Sequence, residues 1–439
     1  MNIIKGLPAR MLTYRALLAA HRGAGLEGYL DRLLAQEALS IQDNALAYAI
    51  CMAVYRHLFK IDRIIDEFTP SKKIDDEIRI ILQMGTAQWL YFSKIPSHAI
   101  VSTSVDLVRK IKKSSATGFV NAVMRKITSS KIYSFDYAND IEKISVEYSH
   151  PRWLIERWIK RYGMDFTIAL VEANNEEPPL TIRVNTRALN VEDMQNQLLS
   201  VGIANSADED YPEYLTIEEK RNPAMLPGFT QGHFTVQDPA FGLPVWILAP
   251  RPGEKVLEIG CAPGGKLSHL AEIAGGDIEL HGVDISPERI GFTSNNLDRL
   301  GLLEDVHLQI ADVLDLDMKG YYDAILLDVP CSSLGVIRRH PEIRYNRKPD
   351  DIESLAILQH KLIDKAVSLL APRGRLIYCS CSTEPQEGED HFSVLPAGMR
   401  FKKIISGIPS KYKEGDFVRT WPQRDNLDGA FIASVELES

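Results

Sequence analysis

Cysteine is scarce in this chain, with five among 439 residues. That excludes a disulfide-stapled secreted module and fits a reducing compartment where thiols persist. No stretch approaches the roughly 18 consecutive apolar residues of a membrane-spanning helix. The opening MNIIKGLPARM has no long apolar core of a secretory signal, so a cytoplasmic location is expected. Internal repeats and low-complexity tracts are absent. There is no excess of positive charge either. The net charge of −9 argues against a protein that coats polyanions by bulk charge. What is present is ordinary globular material: 45% hydrophobic and 25% charged residues, enough for more than one core. At roughly 150 residues per domain, about three domains are expected.

Charge is uneven along the chain. Residues 1–150 carry 20 Lys and Arg against 15 Asp and Glu, and the remainder carries 30 against 44. Local fields decide partners, since charges are screened beyond about 10 Å. From about residue 13 to 127 apolar residues recur at three- and four-residue spacing, which predicts an all-α domain over 1–130. Asp43 is placed to cap the helix that begins near Ile41. Over 131–235 a connector leads into a small α+β domain, with LTIRVNT alternating as a strand and NVEDMQNQLLSVG patterned as a helix.

From 236 to 439 strands and helices alternate. KVLEI, IELHGVDI, VHLQIAD, YDAILLDV, RLIYCSCS and FIASVEL read as strands, the signature of an α/β, Rossmann-like parallel sheet. Such sheets bind ligands beyond the carboxyl ends of their strands. The first strand runs into Glu258-Ile259-Gly260-Cys261-Ala262-Pro263-Gly264-Gly265-Lys266. Its glycines let backbone approach a ligand, and the following helix points amides at the same place. It is neither G-x-G-x-x-G nor a P-loop, because Leu267 follows Lys266. Asp284 ends the second strand, where a carboxylate can accept from ribose hydroxyls. Asp312 ends the third, placed to reach an adenine amino group. Either could instead cap a helix, but the glycine loop and both aspartates together point to an adenosine-type ligand.

The fourth strand ends Asp328-Val329-Pro330-Cys331-Ser332-Ser333 and the fifth ends Tyr378-Cys379-Ser380-Cys381-Ser382. A free cysteine is most often a small buried hydrophobe. Two neighbouring strands each delivering one at the carboxyl end suggest chemistry. Zinc is the competing use, but no second C-x-x-C or H-x-x-H supports it, so no metal is expected. A thiolate adds readily to an electron-poor double bond. Attack at C6 of a cytosine makes C5 enamine-like, able to take a methyl group from a sulfonium.

These motifs resemble the Nol/Nop/Sun family of RNA cytosine-C5 methyltransferases. Glu258–Lys266 is similar to the family's first motif, Pro330-Cys331-Ser332 to its P-C-S, and Ser380-Cys381-Ser382 to its T-C-S. Gly335-Val336-Ile337-Arg338-Arg339-His340-Pro341-Glu342-Ile343 and Val236-Gln237-Asp238-Pro239-Ala240 resemble the RsmB (Sun/Fmu) type, which acts on 16S ribosomal RNA. Ile95–Ala99 and Gly118–Arg125 resemble the NusB-like RNA-binding domain of that type. The resemblance spans about residues 10 to 437.

It implies S-adenosylmethionine as cofactor. Gly260, Cys261, Ala262, Pro263, Gly264, Gly265 and Lys266 would wrap its methionine end, Asp284 its ribose and Asp312 its adenine. Asp328 would complete that pocket and face the target base. Cys381 would be the nucleophile on C6, and Cys331 would assist release. Glu258 replaces the family's aspartate, Ser380 its threonine, and Cys379 is an extra thiol.

Ribosomal RNA is the expected partner, with a single-stranded or loop cytosine because the base must leave its stack. Arg109, Lys110, Lys112, Lys113, Arg125 and Lys126 form one basic cluster. Arg338, Arg339, Arg344, Arg347 and Lys348 form another, in which Tyr345 could stack on a base. Three alternatives remain: a non-catalytic assembly factor on a methyltransferase scaffold, methylation of tRNA or 23S rRNA, and a nicotinamide dehydrogenase. The last lacks the dinucleotide fingerprint and gives the cysteines no role.

Overall fold

The computed structural model describes residues 6–37, 39–70, 73–130, 135–218, 222–402 and 407–438. The chain forms two compact units, one of residues 1–176 with 337–346, the other of 177–336 with 347–439.

The first unit is helical, from Leu7–His21 to Met164–Ala173. The cap of the helix Ile41–Arg56 is Ser40, not Asp43. The Ser40 hydroxyl accepts the Asp43 N–H at 3.1 Å, and Asp43 occupies the first turn, where the helix dipole favours an acid. Asp75 caps Asp76–Tyr91 through the Glu77 N–H. The apolar faces converge on Leu12, Ile50, Ile64, Ile81, Val108 and Met124, all buried.

The second unit opens with a small antiparallel sheet: β1 (Leu180–Val184), β2 (Asn205–Ala207), β3 (Tyr214–Ile217) and β4 (Phe234–Val236), in the order β2-β3-β1-β4. A helix, Val191–Ser200, follows β1, as its pattern predicts. The main sheet holds β5 (Lys255–Ile259), β6 (Glu279–Asp284), β7 (Val306–Ile310), β8 (Tyr322–Asp328) and β9 (Leu370–Ser380). To these are added β10 (Met399–Phe401), β11 (Lys413–Glu414), β12 (Phe417–Thr420) and β13 (Ala430–Leu437). The order is β11-β12-β13-β9-β8-β5-β6-β7, with β10 on β13. β5 to β9 pair in parallel. In β8, Ala324 and Leu326 enter one core while Ile325 and Leu327 enter the other. Burial on both faces is why this strand reads as a continuous apolar run.

FIASVEL departs from the simple parallel alternation. As β13 it lies antiparallel to β9 and to β12. The link from β12 is the nine residues 421–429, with one helical turn at Pro422–Asp425, and a parallel return needs a crossover of a dozen residues or more.

The chain lays down β5, β6 and β7 outward, then returns to place β8 on the other side of β5. The switch point therefore lies between the ends of β5 and β8. The small sheet is tied to the helix Gly265–Ala274 by Arg183, which is fully buried. Its guanidinium donates to Glu272 at 2.8 Å and to the Ser268 hydroxyl at 2.9 Å. Removing one partner of a buried pair leaves an uncompensated charge. Arg183→Leu is therefore expected to lower unfolding stability by about 3–5 kcal/mol, and the double variant Arg183→Leu/Glu272→Leu to recover most of it. Denaturant midpoints at constant m-value measure both.

Candidate active site

The loop after β5 turns on two glycines held at positive φ, Gly260 at 76° and Gly264 at 96°. A side chain at Gly260 would place its Cβ 2.2 Å from the Asp328 carbonyl oxygen, and one at Gly264 would come within 2.9 Å of Thr293. Only glycine lets the ends of β5 and β8 close to this spacing. The helix Gly265–Ala274 starts immediately after.

Four charged side chains gather at these strand ends. Glu258 is buried, its Oε2 has no hydrogen-bond partner, and burial pushes its carboxyl well above the usual range, with Lys266 opposing. Lys266 Nζ donates to Asp328 Oδ2 at 2.6 Å. Burial lowers the lysine's pKa, but Asp328, Cys379 and Glu258 together outweigh it, so the ammonium is held above its ordinary value. Asp284 is 4% exposed. Its Oδ1 accepts the Ser286 N–H at 2.9 Å, while Oδ2 has no hydrogen-bond partner and lies 3.2 Å from an Arg289 nitrogen. The cap of the next helix is Ser286. Asp312, by contrast, caps the short turn Val313–Asp315 through the Leu314 N–H.

The sheet brings the two motif cysteines together. β8 and β9 run in register with Asp328 opposite Cys379. Cys331 leaves one strand and Cys381 the other, and their Sγ atoms are 2.9 Å apart. The Ser333 hydroxyl lies 3.5 Å from Cys381 Sγ. The hydrogen bond between the thiols, together with burial, drives Cys331 well above its ordinary pKa. Accepting that bond moves Cys381 down, against burial. Cys381 is thus the more acidic thiol of the pair.

The other thiols differ. Cys379 is buried, 3.5 Å from Asp328 Oδ1, and desolvation pushes it well up. Cys261 is buried against Gly282, and burial pushes its thiol up too. Neither is moved down as Cys381 is.

The family described as 16S rRNA methyltransferase RsmB/F matches residues 245–436, the NusB family residues 7–129, and the RsmF/B-like ferredoxin-like domain residues 150–223. The chain is 31% identical over 430 residues to ribosomal RNA small subunit methyltransferase B of Cronobacter sakazakii, covering 97% of this chain and 96% of that one. The chain belongs to the RsmB/F family of methyltransferases.

The chain is also 34% identical over 371 residues to ribosomal RNA small subunit methyltransferase B of Escherichia coli O1:K1 / APEC, covering 83% of this chain and 84% of that one. The solved structure of PH0851 superposes with a TM-score of 0.83 at 25% identity, covering 99% of each chain. A methyltransferase homologue from Pyrococcus horikoshii gives 0.59 at 27% identity, over 69% of this chain and all of that one.

The residues fit the cofactor of an RsmB/F-family enzyme. The unpartnered oxygens of Asp284 and Glu258, beside a glycine loop at the switch point, supply acceptors for hydroxyls and acidic surroundings for a sulfonium. Among the described residues, no group of three or more His, Cys, Asp or Glu could hold a metal, and no helix is long and apolar enough to cross a membrane.

The second basic cluster does not form a free cationic face. Arg344 is fully buried and donates to Asn175 Oδ1 at 2.7 Å and to the carbonyls of Tyr148, Ser149 and Asn174. Burial lowers its pKa to about 10. Tyr345 donates its hydroxyl to the carbonyls of Tyr55 and Ser149, which holds the ring inside the helical unit and not against a base. Arg338 is buried, and Arg347 donates to the Ser332 carbonyl at 2.9 Å. Arg344, Tyr345 and Arg347 satisfy backbone carbonyls, a task a charge count does not reveal. In the first cluster Lys113 is paired with Asp75 and Glu77, and Arg109 with Asp106. Lys110, Lys112, Arg125 and Lys126 stay exposed.

Sequence reasoning missed Glu387 and Gln359. Both are fully buried beneath the thiols, in stretches that read as polar surface. The available signal was the serine that follows each motif cysteine.

Cys331→Ala removes the donor to Cys381. The pH at which iodoacetamide alkylates Cys381 at half its maximal rate should therefore rise, read by mass spectrometry across about pH 6 to 10. An unchanged or lower midpoint would show that Cys331 does not make Cys381 the more acidic thiol.

Proposed function

We propose that this chain methylates C5 of a cytosine in 16S ribosomal RNA through a covalent bond between Cys381 and C6. S-adenosylmethionine, when bound, supplies an electrophilic methyl group. The observation that carries the reading is the thiol pair, 2.9 Å apart beyond β8 and β9, beside Asp328. An intact pair supports catalysis over a non-catalytic assembly role, and the likeness to small-subunit methyltransferases favours 16S over tRNA or 23S rRNA.

Each residue then has a task. Gly260 to Lys266 hold the methionine end, Asp284 the ribose hydroxyls, and Asp312 lies by the adenine. Asp328, oriented by Lys266, faces the target base and stabilises addition through N3. The Cys381 thiolate adds to C6, and the displaced electron pair makes C5 able to accept the methyl. A base then takes the C5 proton, the C5–C6 double bond re-forms and Cys381 leaves as thiolate, with Cys331 assisting release. A base that reacts this way must be splayed out, so a single-stranded or loop cytosine is the substrate. Residues 1–130 serve RNA binding through the exposed lysines and Arg125, 131–235 form the connector and small domain, and 236–439 carry catalysis, in the cytoplasm.

Two experiments test this. Asp284→Ala should weaken S-adenosylmethionine binding by roughly tenfold or more, the ~1.5–3 kcal/mol of a charge-assisted hydrogen bond. Calorimetry reads it, and unchanged affinity in a folded variant removes Asp284 from the pocket. Cys381→Ser should abolish turnover and form no protein–RNA bond, since a hydroxyl is a far poorer nucleophile. Cys331→Ala should lose turnover and accumulate a detergent-resistant, cofactor-dependent adduct on a denaturing gel. Cys379→Ala should behave normally in both assays. Methylation that survives loss of either motif cysteine would end the two-thiol reading.

A further inference from the structure

Beneath the thiols lies a carboxylate that no step above uses. Glu387 is fully buried, six residues past Cys381. Its Oε1 accepts the Ser332 N–H at 2.7 Å and the Gln359 amide at 3.1 Å. Its Oε2 accepts the Ser382 hydroxyl at 2.5 Å and the Ser332 hydroxyl as well. Ser332 and Ser382 are the residues that follow Cys331 and Cys381, and their hydroxyls lie 3.1 Å apart. The preceding residues are held from the same place. Gln359 also donates to the Pro330 carbonyl at 2.8 Å, and the Ser380 hydroxyl donates to the Glu387 carbonyl at 2.8 Å. Each cysteine is thus gripped on both sides by groups that end on Glu387 or on its partner Gln359.

This grip lies where the backbone ladder is interrupted. Val329 N–H bonds the Cys379 carbonyl, and the next such bond between the two loops is from Gly335 N–H to the Cys381 carbonyl. Between these bonds, strand pairing does not set how near Cys331 comes to Cys381. A buried carboxylate with four donors has directional demands on every one of them. Leaving one donor unpaired costs more than a typical hydrogen bond contributes.

We infer that Glu387 is a positioning residue that sets the separation of the two thiols, and its catalytic meaning rests on the two-thiol reading above. Diamide serves as a ruler of that separation. It takes one hydrogen from each thiol and is reduced to the hydrazine, while the sulfurs form one bond. In the full chain, Glu387→Ala should form the Cys331–Cys381 bridge much more slowly than wild type, followed by peptide mapping. Its kcat should fall by about 10²-fold, the effect of a ~1 Å misplacement, with RNA KM and S-adenosylmethionine affinity unchanged. Glu387→Gln keeps the shape, and its amide can donate to the serine hydroxyls, so it should restore most of the bridging rate. Ser382→Ala, which cuts one tether, should slow bridging on its own, and it stands in if Glu387→Ala does not fold. Bridging at the wild-type rate in Glu387→Ala or Ser382→Ala overturns the inference. So does a loss of cofactor affinity as large as the loss of kcat, which would make Glu387 a general structural residue. If bridging slows while cysteine variants still methylate, the clamp stands and the two-thiol reading fails.

Discussion

Parallel pairing of β8 with β9, Asp328 opposite Cys379, sends two loops off the sheet side by side and in the same direction. Successive side chains of a strand alternate faces, so a slip of one residue would move Cys379 into the opposite core and Tyr378 into its place. That register is over-determined. Ile325 and Leu327 fill the core on one side, Ala324 and Leu326 the core on the other, and neither set tolerates exchange. The hydrophobic filling of the sheet thereby fixes where two polar loops begin, and the meeting of Cys331 with Cys381 follows from it.

A second consequence of the same topology is a cluster of charge at low dielectric. Glu258, Lys266, Asp284 and Asp328 come from three strand ends and one helix start. A buried charge is costly unless it is paired; Lys266 pairs with Asp328 and Arg289 with Asp284, and Glu258 has no such partner. Glu258 therefore moves toward its neutral form, and Asp284 keeps an oxygen without a donor. Such unmet demand is tolerated in folded proteins mainly where a ligand meets it.

The helical unit obeys the same accounting. The excursion 337–346 carries Arg344 into its interior, where its two terminal nitrogens donate to several carbonyls and to Asn175. A guanidinium is the one side chain with enough fixed donors to satisfy several carbonyls at once. The same residue that raises the local positive charge in the sequence therefore contributes no free cation to a partner.

Much of the architecture was legible in the residues alone. The helical period up to 127, the strand–helix alternation from 236, the glycine loop and the two cysteine motifs are local patterns, and local sterics and burial dictate them. Asp284 and the site of the thiols follow from where strands end. Other features depend on what is far away in sequence. β13 runs antiparallel because the link from β12 is too short for a parallel crossover. Tyr345 and Arg344 look like RNA ligands until their carbonyl partners, over a hundred positions earlier, are in place. Cys379 and Cys381 are two residues apart, yet only the fold distinguishes a thiol desolvated against Asp328 from one hydrogen-bonded to Cys331. Residue type set the chemistry available at each position; the tertiary structure decided which groups were desolvated and which were paired, because burial and partnership are properties of neighbours that the chain brings together only when folded.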